Sequence, residues 1–332
     1  MKSLALPALL CAALAAPPAL GDCRLAKFQA LEVIMDGNQP LIEASIDGHA
    51  VRALIDTGAE RTVVFKNTAE AAGLDMVALG GHFVGVDGKA TAYQAKTRDL
   101  RIGPWSNTGL TVFVGGHSDH VGMVVGRDLL GQLDLEFDLA RNTLNLFVAE
   151  DCGDRPLAYW TREWSEVAIR RPPRRNSLHR ADRLANWTRP LFVDVVINGV
   201  TLKAQLDSGA YTSVLTLEAA AKAGITPGSE GVVPGGRSVG IAGKELPNWV
   251  GVFKELTVGD LTVRNARLRM APLFDSRRGG PDMLLGADFF RALRLYISHK
   301  QGKIYFTHNG GPIFQVTGPL LDRLPDTEDT EE

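Results

Sequence analysis

The chain has 332 residues, 45% of them hydrophobic and 22% charged, with a formal net charge of −2. That balance belongs to a folded globular protein with room for two domains, and it excludes a disordered chain. Basic residues are not in excess, so no overall field draws nucleic acid, and 35 Gly among many Val, Leu and Thr point to a turn-rich, all-β protein.

The N-terminus reads apart from the rest. Lys2 precedes the apolar run "LALPALLCAALAAPPAL", and Ala19-Leu20-Gly21 supplies a small-x-small cleavage site. Residues 1–21 are therefore expected to be a signal peptide, and the mature protein to be exported, periplasmic or secreted. Pro17 and Pro18 close the run before it is long enough to cross a bilayer, and no later segment is expected to span one. Cys11 leaves with the signal. Cys23 and Cys152 remain, one at each end of the first expected domain, and an even pair in an exported protein predicts a disulfide.

The elements that follow are mostly strands. A hairpin turns at Asp47-Gly48, and its second strand runs into "ALIDTGAERTVV" (53–64), with Asp56 flanked by apolar residues. A short helix is expected near Thr68–Gly73, then a hairpin turning at Asp87-Gly88. Further strands lead to "VVGRDLL" (124–130), a short helix over Arg127–Leu133 and a closing hairpin, "LDLEFDLARNTLNLF". His117 and His120 in "HSDH" have a metal-like spacing but no supporting carboxylate or cysteine cluster, so the segment reads as a solvated loop; no metal and no cofactor are expected.

The series then repeats. "AQLDSGAYTSVL" (204–215) places Asp207 where Asp56 stood, 151 residues earlier. Asn198-Gly199 matches Asp47-Gly48, "VGIAGK" matches "VGVDGK", "LLGADFF" matches "VVGRDLL", and "LRLYISHKQGKIYFT" matches the first closing hairpin. One unit thus occurs twice. The expected organisation is a first lobe over 24–150, an exposed Arg-rich linker over 151–187, a second lobe over 188–310 and an acidic, disordered tail over 318–332.

Burying an unpaired carboxylate is costly, and the repeat removes the difficulty. Two units related by a pseudo-twofold axis would bring Asp56 and Asp207 together. Two negative charges ~3 Å apart repel by roughly 5 kcal/mol at an effective dielectric of ~20, about four pKa units. One carboxyl therefore stays protonated while the other ionises. The ionised member can take a proton from water, and the protonated one can hydrogen-bond a carbonyl oxygen, which is the chemistry of amide hydrolysis. Gly58 and Gly209 permit tight loops, and Thr57 and Ser208 carry hydroxyls able to bond across the interface. Ala59 and Ala210 follow the loops where a hydroxyl residue would stabilise the carboxylate, so a mildly acidic optimum is expected.

"LIDTGAERTVV" with "VVGRDLL", and "LDSGAYTSVL" with "LLGADFF", resemble the retroviral and retropepsin-like aspartic proteases. The resemblance implies two tandem lobes in a pepsin-like arrangement, with Asp56 and Asp207 as the catalytic pair of an aspartic endopeptidase. It implies flaps at Asp87-Gly88 and Ala242-Gly243 closing on a peptide or protein substrate, with Tyr93 and Trp249 as flap aromatics. In retroviral proteases an acid and an arginine pair at the positions of Glu60 and Arg127. In the second copy both charges are absent, at Tyr211 and Ala287, so a Glu60–Arg127 ion pair is expected in the first lobe alone. A monomer with an internal pseudo-dimer is the leading arrangement. A non-catalytic peptide-binding protein on the same scaffold, and lobes that pair between chains, stand as alternatives.

Overall fold

A computed structural model describes residues 22–170, 189–273 and 279–314. The expected signal peptide, residues 171–187 of the expected linker and the acidic tail lie outside the described residues.

Three antiparallel-dominated sheets carry the chain. Ten strands of the first copy form one sheet, seven strands of the second copy form another, and both copies contribute to a third of six strands. The helices are short: Lys66–Ala71, Arg127–Leu130, Leu217–Lys222 and Ala287–Arg291. The fold is all-β, in two tandem lobes. Among the described residues no helix is long and apolar enough to cross a membrane.

Local sequence explains the turns. Asp47 and Gly48 both take positive φ (51° and 85°), as do Asn198 and Gly199 (49° and 81°). This is the two-residue turn that matches strand twist, and Asx-Gly pairs adopt it at little cost. Each turn returns a strand, His49–Ile55 or Val200–Leu206, that runs to the centre of the molecule. There it pairs in parallel with the apolar-apolar-Gly segment of its own lobe, Ile55 opposite Val125 and Leu206 opposite Leu285. Those segments are wholly buried, which is why they read as unbroken apolar triplets rather than alternating strands.

The six-stranded sheet joins the lobes. Its order is Arg24–Glu32, Thr143–Glu150, Asp134–Asp138, Leu293–Ser298, Lys303–His308 and Ser165–Ala168. The two closing hairpins meet at its centre, with Leu135 opposite Ile297 and Phe137 opposite Leu295. One face, including Phe137, Leu144, Leu146, Leu295, Ile297, Ile304 and Phe306, belongs to the main core. The first strand lies beside the last of its lobe, Arg24 opposite Glu150, and the Cys23–Cys152 disulfide closes that edge.

The connecting segment departs from the expected exposed linker. Ser165–Ala168 pairs with Lys303–His308 and holds the place in the second half of the sheet that Arg24–Glu32 holds in the first. The second lobe therefore begins before residue 188. Residues just after Cys152 cover the outer face of the same sheet, where Leu157, Ala158, Trp160 and Trp164 pack with Phe147, Tyr296 and Tyr305. Tyr159 donates to the fully buried Glu136 carboxylate at 2.6 Å, which also pairs with Arg294. The buried Leu157 and Ala158 and the half-buried Trp160 and Trp164 hold the segment down, and a reading based on its charge overlooks them.

Candidate active site

The pairing that buries the apolar-apolar-Gly segments also delivers both Asp-Thr/Ser-Gly loops to the junction between lobes. Asp56 N–H donates to Val125 O at 3.0 Å and Asp207 N–H to Leu285 O at 2.9 Å, so each loop leaves its strand at a fixed point. The loops then bond to each other. Thr57 Oγ1 accepts from Ser208 N–H (3.0 Å) and donates to Leu206 O (3.0 Å). Ser208 Oγ accepts from Thr57 N–H (3.0 Å) and donates to Ile55 O (2.7 Å). Both side chains are fully buried, so these four bonds have no water to replace them and fix the loops in one register. Every cross-lobe partner is a backbone group, which is why either hydroxyl residue serves.

Asp56 and Asp207 face each other within hydrogen-bonding reach. Each sits over the glycine of the opposite loop: a Cβ on Gly58 would collide with the Asp207 carboxyl, and one on Gly209 with that of Asp56. Glycine is thus required by close approach of the other lobe. Within its own loop, Asp56 Oδ1 accepts from Gly58 N–H (2.7 Å) and Ala59 N–H (2.8 Å). The matching bonds to Asp207 Oδ1, from Gly209 and Ala210, are both 3.1 Å.

The pair is electrostatically uneven. Burial between the lobes raises both carboxyls above the usual range. At Asp207 the charge of Asp56 adds to burial and carries it well above that range. At Asp56 the bonds from Ala59, Asp207 and Gly58 oppose burial, so it rises less. The two titrate as a unit that shares one proton, and the shorter loop amide bonds at Asp56, 2.7 and 2.8 Å against 3.1 Å at Asp207, favour the ionised form of Asp56. An ionised Asp56 beside a protonated Asp207 offers a base and an acid across one short gap.

Supports beneath the loops repeat in both lobes, and the sequence reading missed them. Asp128 Oδ1 accepts from Thr62 N–H (2.8 Å) and Thr62 Oγ1 (2.7 Å). Asp288 Oδ1 accepts from Ser213 N–H and Ser213 Oγ, both at 2.7 Å. In turn Thr62 Oγ1 and Ser213 Oγ accept from Gly126 N–H and Gly286 N–H. The signal was present: both copies keep a hydroxyl six residues after the aspartate and an Asp two residues after the buried glycine.

Arg127 does brace the Asp56 loop, but not through Glu60. Its guanidinium donates to Thr57 O (2.7 Å) and Gly58 O (2.5 Å), and its own N–H to Ala59 O (2.9 Å). No Glu60–Arg127 ion pair lies within 4.0 Å; Glu60 is exposed and pairs with Arg61 at 3.6 Å. The buried carbonyls of the loop capture the cation, and the acid, turned to solvent, takes the neighbouring arginine. In the second lobe Ala287 keeps only the backbone bond, to Ala210 O (2.8 Å). There the buried Asn38 of the first lobe holds Tyr211 O (2.9 Å) and is itself held by Arg291 (2.7 Å).

The expected flaps are hairpins. Met76–Gly85 pairs with Gly88–Lys96, and Val233–Ser238 with Leu246–Val258, and their tips at Asp87-Gly88 and Ala242-Gly243 touch. Tyr93 and Trp249 lie on flap strands but are half-buried against the main core, so neither is a tip residue.

Comparison with known families decides the assignment. The family model described as "Aspartyl protease" matches residues 42–129 and again 193–289, more than half of the chain. The chain belongs to the aspartyl protease family. The two matched stretches of the protease each hold one Asp-Thr/Ser-Gly loop and one apolar-apolar-Gly segment, so its lobes are tandem retropepsin-like units. Among solved structures, the protease is similar to a crystal structure of a retropepsin-like aspartic protease from Rickettsia conorii. Identity is 18%, the match covers 38% of this chain and 93% of that chain, and the TM-score is 0.26. No curated protein matches the sequence.

Proposed function

We propose that this aspartyl protease is an exported endopeptidase that cleaves extended peptide segments with a dyad formed inside one chain, Asp56 as base and Asp207 as acid. The observation that carries the reading is the mutual approach of the two loops: each glycine is packed against the opposite aspartate, and four buried hydrogen bonds cross between Thr57 and Ser208. A binding protein needs neither carboxylate, and burying both is costly without a use. The shared six-stranded sheet favours pairing within the chain, since a tethered partner outcompetes one from solution. The Cys23–Cys152 disulfide favours an oxidising compartment.

In the proposed reaction, Asp56 takes a proton from water as the water oxygen bonds to the scissile carbonyl carbon, and Asp207 gives its proton to the carbonyl oxygen. The tetrahedral diol then collapses: the C–N bond breaks, Asp56 gives its proton to the amine nitrogen, one diol hydroxyl returns a proton to Asp207, and the carboxylic acid and amine leave with the dyad restored. Among the described residues each aspartate receives only loop amide N–H groups and its partner, which supports the mildly acidic optimum. The test is cleavage of an unstructured peptide library by the mature chain and by Asp56→Asn and Asp207→Asn. Both variants are expected to lose activity, with chelators having no effect. Near-normal turnover by either variant would overturn the shared dyad.

A further inference from the structure

The flap tips make contacts that the proposed function does not use. In the repeat, Val86-Asp87-Gly88 aligns with Ile241-Ala242-Gly243. The two apolar residues cross symmetrically. Val86 packs on the second-lobe cluster of Val214, Ala271 and Leu284, which Ala210 also adjoins, and Ile241 on the first-lobe cluster of Leu41, Leu54, Phe65, Val121 and Val124, which Ala59 also adjoins. Each tip therefore reaches into the opposite wall, onto the same apolar cluster as the residue that follows an Asp-Thr/Ser-Gly loop. Gly85 and Gly116 leave the space that Ile241 fills, since a Cβ on either would strike it.

The next position is not symmetric. Asp87 is 4% exposed. Its Oδ1 accepts from Ala242 N–H at 3.0 Å and its Oδ2 from Lys244 N–H at 2.9 Å, both on the other flap. The first of these is the amide of its own repeat partner. An aspartate at both positions would set two carboxylates against each other, so in an assembly of identical subunits this contact would be repulsive. Divergence between two copies in one chain allows a carboxylate on one side and a small residue on the other.

We propose that Asp87 is a one-sided latch that holds the two flaps shut over the dyad before a peptide arrives. The latch rests on the reading of the cleft as a peptidase site. A polypeptide segment without free ends reaches the dyad only after the tips part, and parting them breaks both Asp87 bonds and withdraws Val86 and Ile241. The latch thus sets how often the cleft is open, and it favours flexible segments over folded ones.

Hydrogen exchange by mass spectrometry on the full mature chain tests this, comparing wild type with Asp87→Ala, Asp87→Asn and Ala242→Asp. Asp87→Ala is expected to speed exchange across residues 239–246 by roughly tenfold or more, the size expected when two bonds to a carboxylate are lost. Asp87→Asn, which keeps an acceptor oxygen on one side only, falls between. Ala242→Asp opposes two carboxylates and speeds exchange at both tips. The six-stranded sheet should exchange as in wild type in all three, which shows that the variants are folded. Wild-type exchange at 239–246 in folded Asp87→Ala would overturn the latch. Exchange reads the latch whether or not the chain cleaves peptides, so an inactive wild type would remove the peptidase reading alone.

Discussion

Replacing Arg127 with methionine separates the brace observed from the ion pair expected. Methionine keeps much of the aliphatic stem and removes the charge and its donors. Two hydrogen bonds from a cation to loop carbonyls are lost, at 2.7 and 2.5 Å, and hydrogen bonds to charged groups contribute ~1.5–3 kcal/mol each. Two effects reduce that sum. Gly58 O keeps a bond from Gln205 Nε2 at 3.1 Å, and the variant no longer buries a guanidinium, whose pKa burial already lowers. The net loss should be about 2–4 kcal/mol. The variant also carries a second signature. Burial raises the pKa of both aspartates, and the positive charge of Arg127 opposes that rise at each. Without it both limbs of the pH–rate profile move to higher pH. Urea unfolding followed by tryptophan fluorescence reads the first effect, and kcat/KM on a fluorogenic peptide across pH reads the second. Glu60→Gln is the control and should stay within about 0.5 kcal/mol of wild type, as an exposed pair with Arg61 implies. An Arg127→Met protein with wild-type stability and an unmoved profile, or a Glu60→Gln protein as unstable as Arg127→Met, would refute the reasoning.

Two further outcomes follow from the same structure. Cys23 and Cys152 are 129 residues apart in sequence, so loop closure contributes up to about 5 kcal/mol. The Cys23→Ser/Cys152→Ser protein should lose several kcal/mol in urea unfolding, and stability equal to wild type would contradict this. Asp288 has a pKa raised to about 6 by burial, against which its bonds from Ser213 and Phe289 work, and among the described residues its Oδ2 has no hydrogen-bond partner. With a folded pKa above the unfolded value, its contribution is fully present below ~4 and is lost as pH rises through about 6. Between pH 4 and 7.5 the stability difference between Asp288→Asn and wild type should therefore shift by roughly 2–3 kcal/mol toward the variant, and a difference independent of pH would count against it.

The repeat and its consequences can be read from the residues alone. Two Asp-Thr/Ser-Gly loops on apolar strands, two apolar-apolar-Gly segments and matched Asx-Gly turns gave two strand-rich lobes facing across an axis. Strand period, turn chemistry and the cost of a lone buried carboxylate all act over a few residues, so they can be read without coordinates. The disulfide was legible for a similar reason, because the cysteines bracket one unit whose end strands pair. Partners that are distant in sequence are set by how the sheets and hairpins pack in three dimensions. Nothing near Tyr159 or Trp160 announces the sheet face they cover, and that face turned an expected linker into part of the lobe junction. Glu60 and Arg127 were matched by sign of charge, but buried carbonyls with fixed positions hold a guanidinium more firmly than an exposed acid does. Asp87 was legible as a turn residue; that its carboxylate is buried against two amides of the other flap, one of them from its own repeat partner Ala242, depends on how two hairpins cross, which no local pattern encodes.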